Sequence, residues 1–115
     1  MKYMLLIYQN EANMLSATKE AAGQTIAAYT SYTKAMKKAG VHVGSDRLRP
    51  TTSASTVRLA NGKSEVLDGP YAETKEQLAG YYMIDVPDLD AALSWAARCP
   101  GATLGTIEVR PIWGG

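Results

Sequence analysis

Two stretches of this chain are apolar on both faces, and that restricts its folding more than any other feature. In residues 2–9, Tyr3, Leu5 and Ile7 alternate with Met4, Leu6 and Tyr8. In residues 78–86, Tyr81 and Met83 alternate with Tyr82, Ile84 and Val86. An extended strand of either composition has to be covered above and below, so both belong at the centre of a sheet. Any fold that leaves one face of these strands wet forfeits several kcal/mol at ~25 cal/mol per Å² of apolar surface.

The rest of the pattern supplies part of the cover. Residues 16–39 place Ala22, Ile26, Tyr29, Thr33 and Met36 on one stripe at steps of four and three, which predicts a long helix. Ser16 or Thr18 is its N-cap, Lys37 and Lys38 complement the dipole of its last turn, and Gly40 ends it. Residues 10–15 are expected to form a loop. A strand follows over 41–49, interrupted by Gly44 and stopped by Pro50. Asn61-Gly62 between 56–59 and 64–67 is a strong hairpin signal. Asp68-Gly69-Pro70-Tyr71 reads as a turn, and the charged run 72–77 as a single helical turn. Pro87 closes the strand 78–86. Asp88 then caps a helix reaching Cys99, with Leu89, Ala92, Leu93 and Ala96 turned inward. Residues 106–113 form the last strand. There Ile107 and Val109 alternate with Glu108 and Arg110, the pattern of a strand with one wet face near an edge.

The order strand, helix, strand, hairpin, strand, helix, strand predicts an α+β fold: a ferredoxin-like sandwich with two helices on one face of an antiparallel sheet. Its first and third core strands, the two doubly apolar ones, are central. The helices cover one face. A second copy packed face to face covers the other most simply, giving a homodimer; the alternative is that loop 50–56 or the hairpin folds across it.

Composition narrows the function. The 115 residues make one domain, 1–115, and 46% hydrophobic against 20% charged residues is a globular mix. Twelve Lys and Arg balance eleven Asp and Glu, so there is no basic surplus for nucleic acid or for an anionic membrane. No apolar run reaches the roughly 20 residues of a membrane span, and the N-terminus makes a poor signal peptide, so a cytoplasmic location is expected. With one cysteine, Cys99, and one histidine, His42, neither an internal disulfide nor a closed Cys/His zinc site is expected. Neither a Gly-x-Ser-x-Gly elbow nor a phosphate-binding glycine loop is present, so no metal or nucleotide cofactor is expected.

Few side chains remain as candidates for chemistry. Asp68 ends a strand immediately before Gly69-Pro70, where backbone geometry fixes its direction. Beside Tyr71 an acid there would be desolvated and suited to proton transfer; a turn hydrogen bond explains the same aspartate structurally. His42 has no partner near it in sequence and reads as a partly exposed strand residue, dispensable for binding. Glu73-Thr74-Lys75-Glu76 reads as a solvated turn with internal ion pairs. Seven tyrosines and no phenylalanine mean that any cavity lined by Tyr81 or Tyr82 carries hydroxyls as well as apolar surface.

The stretch Asp68-Gly69-Pro70-Tyr71, continuing through Ala72-Glu73-Thr74-Lys75-Glu76-Gln77-Leu78-Ala79-Gly80-Tyr81-Tyr82, resembles the YCII-related family, specifically its DGPF branch. Tyr3-Met4-Leu5-Leu6-Ile7-Tyr8, Asp88-Leu89-Asp90-Ala91-Ala92-Leu93, Trp95-Ala96-Ala97-Arg98-Cys99-Pro100 and Ile107-Glu108-Val109-Arg110-Pro111 are similar to it as well. Tyr71 stands where the branch has phenylalanine. The resemblance implies a dimeric α/β barrel. It also implies a suspected enzymatic role through a histidine and an aspartate. Residues 16–39 hold no histidine, so of that pair only Asp68 is carried over. The expectation is a small molecule bound in a cleft at the sheet or dimer interface. Asp68 would act there as the catalytic acid/base, with Tyr71, Tyr81, Tyr82 and His42 around the ligand. The alternative is a non-catalytic ligand-sensing domain linked indirectly, through a partner, to sigma-factor-dependent transcription initiation.

Overall fold

The structure is a computed structural model that describes residues 1–114. The strands are β1 (Lys2–Gln9), β2 (His42–Arg47), β3 (Ser55–Ala60), β4 (Lys63–Asp68), β5 (Gln77–Asp85) and β6 (Thr106–Pro111). The helices are α1 (Glu11–Leu15), α2 (Lys19–Lys38), α3 (Leu89–Arg98) and α4 (Gly101–Leu104), with a single 3-10 turn at Thr51–Ser53. Strands β2, β5, β1 and β6 form one antiparallel sheet in that order, with the doubly apolar β1 and β5 at its centre. The fold is α+β, as the order of elements predicts, and it is consistent with the ferredoxin-like arrangement.

Tyr3, Leu5 and Ile7 of β1 and Tyr82 and Ile84 of β5 form the helix-side core with Tyr32 and Met36 of α2 and Ala92 and Ala96 of α3. Met4, Leu6, Tyr8, Tyr81 and Met83 lie on the opposite face and are only half-buried. The end of β6 alternates as expected, with Ile107 and Val109 packed on the core and Arg110 paired to Glu108 outside.

Several local expectations are corrected. Residues 10–15 are not all loop: Asn10 accepts from the Asn13 N–H and caps the short helix α1. Of the two candidate caps for the long helix, Thr18 is the one used, accepting from the Ala21 N–H at 3.1 Å. Residues 72–76 form no helical turn, because their polar groups are drawn into other bonds: Gln77 Nε2 donates to the Thr74 carbonyl, and Asn10 Nδ2 to the Lys75 carbonyl. The second strand stops at Arg47 rather than 49, and the last at Pro111 rather than 113. On α3 only Ala92 and Ala96 are buried. Leu89 and Leu93, expected inward, are about half exposed, because a ten-residue helix presents a narrow stripe to the sheet. The helix α4 follows immediately, where only a terminator was foreseen at Pro100-Gly101.

The hairpin turns at Asn61-Gly62 as expected, both residues having positive φ. It does not fold back over the sheet. The strands β3 and β4 form a separate two-stranded arm with Val57, Leu59 and Val66 exposed on one face. The radius of gyration is accordingly 16.0 Å, against roughly 13–14 Å for a compact chain of this length.

Candidate functional site

The helix α2 is long, but only its C-terminal half reaches the sheet. Tyr32 and Met36 are buried, whereas Ile26, on the same stripe as Met36 but ten residues earlier, is 56% exposed. The reason lies in side-chain size. Around the stripe the first half carries Ala21, Ala22 and Thr25, too short to bridge the gap to β1 and β5. A cleft of about 800 Å³ opens between that half of the helix and the sheet, a volume typical of small-ligand sites. Ile7 and Gly80, paired across β1 and β5, contribute to its floor, and Leu104 of α4 lines one end.

Polar groups converge on this mostly apolar space. Gln9 is 7% exposed, and its Nε2 donates to the Tyr29 hydroxyl at 3.3 Å. Thr33 Oγ1 and the Tyr82 hydroxyl share a hydrogen bond at 2.7 Å. Burial pushes the Tyr29 phenol far above its ordinary range, with the neighbouring Cys99 thiol adding to the effect, and burial raises Tyr82 as well. Both rings therefore stay neutral and act as hydroxyl donors or acceptors. Gly101 makes room for the Tyr29 hydroxyl: a Cβ at that position would lie 2.6 Å from it and 3.0 Å from the Ile7 Cγ2. Cys99 is buried and its thiol is raised by desolvation, in keeping with its reading as a packed apolar residue.

At the β2 side the cleft becomes charged. Ser45, Asp46 and Arg47 line it from the strand, and Lys34 and Lys37 from the helix. Asp46 accepts from the Tyr81 hydroxyl at 2.7 Å. The two residues are register partners, and alternation turns both side chains to the opposite face of the sheet.

The structure separates the residues singled out from the sequence. Tyr82 faces the cleft, whereas Tyr81 borders it along the strand and points its hydroxyl to Asp46 on the opposite face. His42 sits on β2 beside it, its Nε2 sharing a hydrogen bond with Ser45 Oγ at 2.9 Å and its ring edge-on to Tyr82. Partial burial, and then the Lys37 charge, lower its pKa. Asp68 stands elsewhere, at the end of β4, exposed in a smaller recess of about 490 Å³ with Gly69, Pro70, Thr51, Thr52 and Glu73. Gly69 turns the chain there at φ +104°, its N–H donating to the Ala54 carbonyl and its own carbonyl accepting from Thr56 Oγ1. Tyr71 is 80% exposed and lines neither space. Within one chain, then, Asp68 and Tyr71 do not share a cavity with Tyr81 and Tyr82.

Gln9, Tyr29 and Thr33 were missed as site residues. Tyr29 and Thr33 read as core positions on a helical stripe, and nothing in the sequence shows that α2 leaves the sheet halfway along. Gln9 carried the clearer signal, an amide continuing the inward series of Tyr3, Leu5 and Ile7. Among the described residues, no group of three or more His, Cys, Asp or Glu is placed to hold a metal ion, and no helix is long and apolar enough to cross a membrane.

Comparison with known proteins gives two findings. The family described as the YCII-related domain matches residues 1–114. An uncharacterized protein of Rhizobium meliloti (strain 1021), R00369, is 39% identical over 114 residues, covering 97% of this chain and 92% of its own length.

Proposed function

The chain belongs to the YCII-related domain family, and on that premise we propose that it is a small-molecule-binding domain whose ligand occupies the cleft between α2 and the sheet. One observation carries the reading: a mostly apolar space of about 800 Å³ into which two part-buried polar pairs, Gln9–Tyr29 and Thr33–Tyr82, converge. Packing alone would not place an amide and three hydroxyls around a gap; a ligand with both apolar surface and polar groups uses all of them. The groups are neutral hydrogen-bonding partners, which favours recognition, and hence a sensing or carrier role, over proton transfer. We place the chain in the DGPF branch of the family on its Asp68-Gly69-Pro70-Tyr71 motif.

A second reading keeps Asp68 as an acid/base. The observation favouring it is the recess that Asp68 shares with Glu73 and the Thr51 and Thr52 backbone turn, a polar concavity separate from the cleft. Thermal-shift screening against a metabolite library, run in parallel on three proteins, separates the two. Ala22→Trp, an exposed helix position, fills the cleft without disturbing the core; Asp68→Asn keeps the shape and an acceptor oxygen but removes the ionisable carboxyl. Compounds that stabilise the wild type and Asp68→Asn, but not Ala22→Trp, are the expected result. Compounds that fail only with Asp68→Asn would move the site to the recess.

We further propose that the assembly is a homodimer formed through the helix-free face. Met4, Leu6, Tyr8, Tyr81 and Met83 form a contiguous, half-exposed apolar surface there, and the projecting arm exposes Val57, Leu59 and Val66. A two-fold arrangement covers such surfaces reciprocally, and a two-stranded hairpin is marginal in water without a partner.

A further inference from the structure

The charges around the cleft are unevenly placed. The cleft crosses the sheet from the edge strand β2, over β5, to β1 and α4. Its β1 end is lined by Ile7 and Leu104, with Ile26 and Ala22 on the helix. Its β2 end holds three cations, Lys34, Lys37 and Arg47, and a single carboxylate, Asp46, which is turned to the other face and committed to Tyr81. Among the described residues none of the three cations has an ion-pair or hydrogen-bonded partner; the salt bridges join Met1 to Asp85 and Arg110 to Glu108. Unpaired cations at the mouth of a low-dielectric cleft focus a positive potential into it.

We propose that the cleft takes a small amphipathic carboxylic acid, with its apolar body against Ile7 and Leu104 and its carboxylate at Arg47, assisted by Lys34 and Lys37. This rests on the reading of the cleft as a ligand site. A carboxylate suits the planar guanidinium fork, which pairs with it through two parallel hydrogen bonds. The chain offers no glycine-rich run of backbone N–H groups at this end to cradle a phosphate. Two inter-strand spacings separate β2 from β1, so the acid spans about 10 Å from carboxylate to apolar end.

The test uses three probes of one shape: 3-phenylpropanoate, its neutral amide, and 3-phenylpropylamine. Each is titrated into the labelled protein by NMR, reading the amides of Gly80, Tyr82, Tyr29 and Thr33. The expected result is saturable shifts with the acid at millimolar or lower concentration, and binding at least about tenfold weaker for the amide and the amine, the scale of one charge-assisted hydrogen bond. Arg47→Gln should reduce the acid's affinity to that of the amide and leave the amide's unchanged. Arg49→Gln, outside the cleft, should change neither. Equal affinity for acid and amide, or equal loss in both arginine variants, overturns the choice of an acid while the cleft stands as a ligand site. Absence of shifts at those four residues with all three probes overturns the proposal together with the reading beneath it.

Discussion

Gly101 shows how a single position can set up the site. A methyl group there would meet the Tyr29 hydroxyl and the Ile7 side chain inside ordinary contact distance, so the phenol has to move. Gly101→Ala should lower stability by about 1–3 kcal/mol, the usual cost of overpacking, and should weaken cleft ligands by displacing the Tyr29 hydroxyl. Denaturant unfolding and a titration with any ligand found by screening measure the two effects; unchanged affinity would remove Tyr29 from the site. The same scale shows what the sequence discloses and what it does not. Cys99 was readable as a buried apolar residue because its helix-end position disfavours a thiolate. The separation of Asp68 and Tyr71 from Tyr81 and Tyr82 was not readable, because it depends on where the arm points, and no local pattern encodes that.

At the scale of elements, the doubly apolar pattern of β1 and β5 was enough to place both at the sheet centre, and the alternation in β6 to place it at an edge. The cleft was hidden for a physical reason. Helical periodicity reports which side of α2 faces inward, but not how far that side stands from the sheet, and small residues such as Ala21 and Ala22 are compatible with either close packing or a gap. The contact between α2 and the sheet also predicts a pH response. Burial raises the Tyr29, Tyr32 and Tyr82 phenols above the value of about 10 that they have in the unfolded chain. The folded state thus holds protons that the unfolded state releases. The associated stability is intact below pH ~10 and declines as pH rises beyond it. Absorbance at alkaline pH should show these three of the seven tyrosines ionising only as the far-ultraviolet dichroism collapses. Smooth titration of all seven with the fold intact would contradict the packing described.

The whole molecule is larger than its mass warrants in compact form, because the arm of β3 and β4 extends away from the four-stranded sheet. The sequence marked the hairpin, but its direction is a tertiary property. Of the covers expected for the open sheet face, the hairpin is not one within this chain, and a second copy of the chain is the cover proposed. Light scattering at micromolar concentration should show twice the mass of one chain, and Leu6→Glu, which puts a charge in the middle of that face, should halve it while leaving the melting transition cooperative. A wild-type protein of single-chain mass would end the proposal.

The central claim is that the space between α2 and the sheet is where this protein meets its ligand, and a crystal structure with a stabilising compound from the screen tests it most directly. Density should lie over Ile7 and Gly80, within hydrogen-bonding reach of the Tyr29 and Tyr82 hydroxyls. Density in the recess beside Asp68, with the cleft empty, would contradict it.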